Sequence, residues 1–285
     1  MIPIISQLIK EFKEFYRSLY GIIMILIWIG ISLVYIYSFI LGYNSNETYN
    51  AGIIDYEFWG NSLQYLIVFY IYGAIILINE KENGMFYLLK VKKARVFSYY
   101  FGKLVFLLIL SFIMSLILFF SFFIYIMISG DKIYGITFPL FSFKYTFYPL
   151  VLFFITSLLA VSESIFISSI FLKKVYSLFS IIGLYFLTII ISGDILIYYE
   201  IASTTLKMPI YLKMFIALNP GFLKGIFFSL SGLQQRIVEG KAIITITYNL
   251  LFLSENLYVV IIFIEFIIFI SLGLIKTIGD FHVKK

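Results

Sequence analysis

Residues Leu257 to Ile275 read LYVVIIFIEFIIFISLGLI, an apolar run broken by a single charge, Glu265. Wound as a helix at ~1.5 Å per residue, such a run nearly crosses the roughly 30 Å hydrocarbon core of a bilayer. Five further runs of this kind precede it: Tyr20 to Leu41, Leu63 to Ile78, Lys103 to Ile128, Phe147 to Phe171 and Val175 to Ile197. Together they predict an all-α polytopic membrane protein with six transmembrane helices. Composition agrees, with 62% hydrophobic and only 13% charged residues, against about a quarter charged in soluble domains. The runs and their connections take up the sequence, so residues 1–285 are read as one membrane domain.

Several kinds of chemistry drop out at once. The chain has no cysteine, which removes disulfides, thiolate metal sites and cysteine nucleophiles. Its one histidine, His282, lies in a basic tail beside Phe281 and Val283 and reads as a solvated tail residue. No catalytic, cofactor-binding or metal-ligating set is expected, and nothing points to nucleic acid.

The distribution of Lys and Arg predicts orientation, because short cytoplasmic loops carry an excess of both. Lys10, Lys13 and Arg17 precede the first run. Lys81, Lys90, Lys92, Lys93, Arg95 and Lys103 fall between the second and third, Lys173 and Lys174 between the fourth and fifth, and Lys276, Lys284 and Lys285 at the end. The alternate short loops carry only Lys132 and Lys144. Both termini are therefore expected in the cytoplasm of a cell-membrane protein.

Two segments outside the runs carry patterns of their own. In residues 1–19, Ile4, Ile5, Leu8, Ile9, Phe12, Phe15, Tyr16 and Leu19 recur at helical spacing, with Lys10, Glu11, Lys13, Glu14 and Arg17 between them. This predicts an amphipathic helix in the membrane interface. Residues 198–256 form a long outer segment with two apolar stretches, Pro209 to Leu233, interrupted by Asn219, Pro220 and Gly221, and Ile243 to Leu253. The interruptions predict short outer helices at or dipping into the outer leaflet, with a pair of extra spans as the alternative.

The cytoplasmic loop, residues 79–103, reads Asn79-Glu80-Lys81-Glu82-Asn83-Gly84-Met85-Phe86-Tyr87-Leu88-Leu89-Lys90 and continues through Arg95 to Gly102-Lys103. Gly84 can join two helices at an angle because it tolerates backbone conformations closed to other residues. Met85, Leu88 and Leu89 then form an apolar stripe opposite Lys90, Lys92 and Lys93. A short amphipathic helix of this kind fits a groove in a soluble partner or an anionic lipid surface.

This loop resembles that of type-2 ATP-binding-cassette (ABC) transporter permeases of the exporter class. There, charged residues precede a Gly, two leucines follow, and a Gly-Lys pair opens the next span. Met85 and Lys93 depart from that pattern, standing where the family often has Thr and Pro. The resemblance implies a membrane-spanning permease subunit, itself not an enzyme, paired with a second permease copy and driven by a separate cytoplasmic ABC ATPase. It also implies that Glu82, Gly84, Leu88, Leu89, Arg95, Gly102 and Lys103 couple the two parts, and that ATP and Mg bind the partner. In keeping with this, no Gly-x-x-x-x-Gly-Lys-Ser/Thr phosphate loop occurs in the chain.

Glu163 and Glu265 fall inside the fourth and sixth runs. Intramembrane carboxyl groups are expensive to insert and commonly mark a pathway or an interface. Ala160, Ser164 and Ser168 beside Glu163 also form a small-residue stripe suited to close helix packing. Two other functions stay open on the sequence: an integral membrane lipid-modifying enzyme using these carboxyl groups, and an ATP-independent scaffold or channel.

Overall fold

The computed structural model describes residues 3–42, 62–84, 96–133, 147–191, 195, 209–219, 234–239, 242–247 and 255–282. In chain order the helices are α1 (Pro3–Arg17), α2 (Leu19–Gly42), α3 (Leu66–Ile76, entered through a short 3-10 turn, Leu63–Tyr65), α4 (Ile78–Glu82) and α5 (Val96–Ile133). They continue with α6 (Tyr148–Ile170), α7 (Lys174–Tyr185, prolonged by a π-helical segment, Phe186–Ile191), α8 (Ile210–Ala217) and α9 (Glu255–His282). Two strands, β1 (Gln234–Glu239) and β2 (Ala242–Thr247), pair antiparallel between α8 and α9.

Five helical stretches are long and apolar enough to cross a membrane: Leu63–Glu82, Val96–Ser121, Leu150–Ile170, Lys174–Ile191 and Leu257–Asp280. They match five of the six expected runs, with shifted ends. Helix α2, over the remaining run, has 24 residues. The largest shift is at the third run, where α5 starts at Val96 and places Lys103 two turns inside the helix rather than at its edge. The loop expected over 79–103 is correspondingly shorter, because α4 runs to Glu82 and α5 resumes at Val96. Residues 85–95, with Leu88, Leu89 and Arg95, lie outside the described set.

The outer segment differs from expectation in its second half. Helix α8 stops at the predicted interruption, where Leu218 and Asn219 donate backbone N–H groups to Met214 and Ile216. Of the stretch Ile243 to Leu253, however, residues 243–247 belong to a strand, Ala242–Thr247, and not to a short helix, and the remainder lies outside the described residues. The strand's Ile-Ile-Thr-Ile-Thr sequence is β-branched throughout and favours extended backbone. The strands pair in register from Gln234 with Thr247 to Glu239 with Ala242.

Burial sorts the spans into a centre and a periphery. The stretches Leu63–Glu82 and Leu150–Ile170 are 78% and 72% buried inside the protein, against 17% for Leu257–Asp280. Helices α3 and α6 are thus the central pair, and their backbones approach closely because one side of the contact has no side chain. A Cβ built on Gly73 would stand 1.9 Å from Ser164 Oγ. One turn along, Leu77 N–H donates to Ser168 Oγ at 3.3 Å, and Ser177 Oγ of α7 donates to the Ala74 carbonyl at 3.1 Å. Side chains inserted into a backbone ladder interrupt a helix, and α3 gives way to α4 at this point. Ser164 and Ser168 of the predicted small-residue stripe supply the α6 side of both contacts.

At the other end of the core, Trp28 of α2 packs on Tyr65 and Phe69, with ring centroids 5.6 and 5.4 Å apart. The turn from α1 into α2 is built by Ser18 and Gly21. Ser18 Oγ accepts the Gly21 N–H at 3.0 Å, the usual service of a serine at a helix N-terminus. A Cβ on Gly21 would lie 2.1 Å from the Phe15 carbonyl oxygen, so only glycine allows the two helices to meet this sharply.

Candidate functional site

The polar residues at one end of the bundle converge on three consecutive positions of α4. Glu80, Lys81 and Glu82 point in different directions around the helix, as neighbours at ~100° per residue must, and each meets a different part of the protein.

Glu80 turns towards α1 and α5. Its Oε1 lies 2.8 Å from Lys10 Nζ and 3.3 Å from Lys103 Nζ, and Tyr99 donates its hydroxyl to Oε2. Lys103 Nζ also donates to Glu11 Oε1 at 2.8 Å, and Gln7 Nε2 donates to the same oxygen at 2.6 Å. The ammonium of Lys103 sits 5.2 Å from the centre of the Tyr99 ring. Such proximity requires α1 to press on α5, and Gly102 permits it: a Cβ there would stand 2.7 Å from Gln7 Cβ. Phe12 against Phe106 and Phe15 against Tyr72, with centroids 4.9 and 5.3 Å apart, seal the apolar side of this contact.

Glu11 was expected on the polar face of an interfacial helix, and the structure turns it inward. Residues Gln7, Glu11 and Phe15 follow one another at i, i+4 spacing and define the buried edge of α1, while Ile5, Ile9 and Tyr16 are exposed. Lys10 lies outside the spans. Burial by itself would depress its ammonium, but the hydrogen bond and charge of Glu80, backed by Glu14 and Glu11, hold it above its ordinary value.

Lys81 and Glu82 reach the remaining helices. Lys81 Nζ donates to the Ser169 carbonyl at 2.6 Å and to Asp280 Oδ2 at 2.8 Å. It thereby neutralises the carbonyl end of α6, where a cation is favoured, and ties it to α9. Asp280 also pairs with Lys276 at 3.1 Å. Glu82 Oε1 accepts the backbone N–H of Lys174 at 2.7 Å, and its other oxygen lies 3.8 Å from Lys174 Nζ. A carboxylate at the first N–H of α7 satisfies an otherwise orphaned donor.

The segment that follows begins at Gly84, whose φ of +69° belongs to the left-handed region and whose N–H closes on the Lys81 carbonyl at 3.3 Å. This is a glycine helix end. Among the residues read as coupling positions, Gly84 therefore terminates α4, Glu82 holds the start of α7, and Gly102 and Lys103 pack inward against α1. The sequence offered no sign of these partners, since Lys103 and Glu11 are 92 positions apart.

The carboxylate oxygens of Glu11, Glu14 and Glu80 lie within 4.8 Å of one another, close enough to hold a metal ion. Lys10 and Lys103 already supply positive charge there, and Lys10 lies 3.6 Å from Glu14. The group is therefore complete as an ion-pair network. A cavity of about 160 Å³ opens beside it, lined in part by Glu14, Ser18, Tyr72 and Asn79, with room for several water molecules.

Within the membrane-spanning part, Glu163 is buried and accepts the Tyr70 hydroxyl at 2.5 Å. Tyr258, also buried, donates to the Asn219 carbonyl at 3.2 Å. Glu265 lies part-exposed on α9, between the exposed Ile264 and Ile267 and the inward Ile262. The structure thus gives Glu163 a hydrogen-bonding partner on the central helix α3 and places Glu265 half-buried on α9, within electrostatic range of Glu163 and Tyr258.

No protein-family model matches the chain, and no curated protein matches its sequence.

Proposed function

We propose that the chain is the membrane-spanning permease subunit of an ABC transporter, working as an exporter with a separate cytoplasmic ATPase. The reading rests on the spacing of Gly84, Leu88, Leu89, Gly102 and Lys103. It is supported by what precedes Gly84: three charged residues that reach five other helices, the arrangement wanted at the root of a loop that receives force from outside the membrane. On this reading α2 is the first of six spans, the Glu80 end of the bundle faces the cytoplasm together with both termini, and α1 lies along the inner surface. Two copies pair in the cell membrane, and two ATPase chains carry ATP and Mg. ATP binding draws the ATPases together, the segment from Gly84 to Arg95 moves with them, and the path between the paired spans changes its exposure. Glu163 and Glu265 are the candidate polar positions along that path.

Two experiments test this. Because the native chain has no cysteine, single cysteines at Ser45 and Ser142 should react with an impermeant thiol reagent in intact cells, while one at Ala94 should not. Labelling of Ala94 from outside would invert the topology and remove the docking loop. The second uses an ABC ATPase encoded beside this chain: it should co-purify with the full-length protein, and Leu88→Asp with Leu89→Asp should abolish that association. Association that survives the double change would leave the loop as a lipid-facing segment.

A further inference from the structure

We infer that Glu80, Lys81 and Glu82 act as a divided clamp, fastening two separate groups of helices to the root of the segment that begins at Gly84. Glu80 holds the first group, α1 and α5, through Lys10, Tyr99 and Lys103. Lys81 and Glu82 hold the second group: the end of α6, the end of α9 and the start of α7. The inference deepens the transporter reading and rests on it for the meaning of the loop, since it states where a displacement at Gly84 goes once it enters the membrane.

Three observations carry it. The three side chains diverge from a helix of only five residues, α4, so they share one short rigid body. Their side-chain partners do not overlap among the hydrogen bonds and ion pairs described above, and the two groups meet elsewhere, where Tyr100 of α5 donates its hydroxyl to the Ile270 carbonyl of α9 at 3.2 Å. And the backbone is itself fastened to a neighbour where α4 leaves α3: Leu77, helical at φ −85° and ψ −37°, turns its N–H to Ser168 Oγ of α6.

The environments differ in a way that sets the strength of each arm. Lys103 and Glu80 have side chains 2% and 9% exposed, where removing one partner of an ion pair strands the other. Glu82 and Lys174 are 33% and 34% exposed, where water weakens the pair. The arm to α1 and α5 is therefore the stiff one, and the arm to α7 the compliant one.

Spin-label distance distributions on the full-length protein in lipid nanodiscs test the clamp without an ATPase. One label pair, at Lys13 and Phe97, reports on α1 against α5. A second, at Val175 and Ile275, reports on α7 against α9. All four positions are exposed. Glu80→Gln should widen the first distribution about twofold and leave the second unchanged, and Glu82→Gln should widen the second and leave the first. Equal widening of both pairs by either variant, or no change in either pair, overturns the inference. If Glu80→Gln protein does not fold, the Glu82→Gln arm alone decides: widening confined to the second pair supports the division, and any other result overturns it. Selective widening in a protein that binds no ATPase would retain the clamp and remove the transporter reading, whereas ATPase binding with unselective widening would do the reverse.

Discussion

Lys103 Nζ and Glu11 Oε1 lie 2.8 Å apart with both side chains almost fully withdrawn from solvent, joining the first helix of the chain to the third long apolar one. A buried pair of this kind gains less from its own attraction than it would lose on being broken, since either partner alone is a stranded charge.

Lys103→Met should therefore destabilise the protein by about 3 kcal/mol, read as a fall in thermal unfolding temperature in detergent. The double change Lys103→Met with Glu11→Leu should be milder than Lys103→Met alone, because the pair leaves together. Additive losses would show that the two residues do not interact.

The central contact makes an equally sharp demand. Gly73→Ala drives a methyl group into Ser164, whose Cβ would be only 2.7 Å away, and should cost about 1–3 kcal/mol of stability. Ser164→Gly in the same protein should recover most of that loss. Without recovery, α3 and α6 do not meet at this pair.

Gly84 is constrained by backbone alone. No atom lies within 4 Å of a Cβ built there, yet φ is +69°. Gly84→Ala should cost about 1–2 kcal/mol, and Gly84→Gln about the same, because only conformation and not space is at stake. Gly84→Asn should be milder, asparagine being the next best resident of the left-handed region. A penalty that grew with side-chain size would contradict the open surroundings of this turn.

Tyr70→Phe removes the hydroxyl that meets the buried Glu163 carboxyl. The expected loss is about 1–3 kcal/mol, the penalty for a buried polar group left without its partner. Tyr70→Phe combined with Glu163→Leu should unfold at a higher temperature than Tyr70→Phe alone. The reverse order would mean that Glu163 finds another partner when Tyr70 is gone.

The apolar runs announced the long helices because their cause is local: side chains that prefer lipid, continued for the thickness of a bilayer. What lay beyond the sequence was pairing at a distance. Lys103 looked like the edge of a span, since a lysine commonly marks one, but its partners Glu11 and Glu80 let it sit two turns inside α5. Glu11 looked like a residue of a polar face, and only the position of α5 shows that this part of the face is turned inward. Residues 243–247 were misread for a related reason. An apolar stretch of that length fits either a helix segment or a strand by hydrophobicity, and its β-branched composition was the signal that favoured the strand.

The interruption at Leu77 also bears on how the protein sits in membranes of different composition. A span that does not match the local bilayer adjusts by tilting, bending or deforming the lipid around it. Leu77 keeps helical dihedral angles, φ −85° and ψ −37°, while its N–H and the Ala74 carbonyl turn to Ser168 and Ser177 of neighbouring helices. The span is thus stapled to two neighbours through its own backbone, so a change in its tilt must carry α6 and α7 with it.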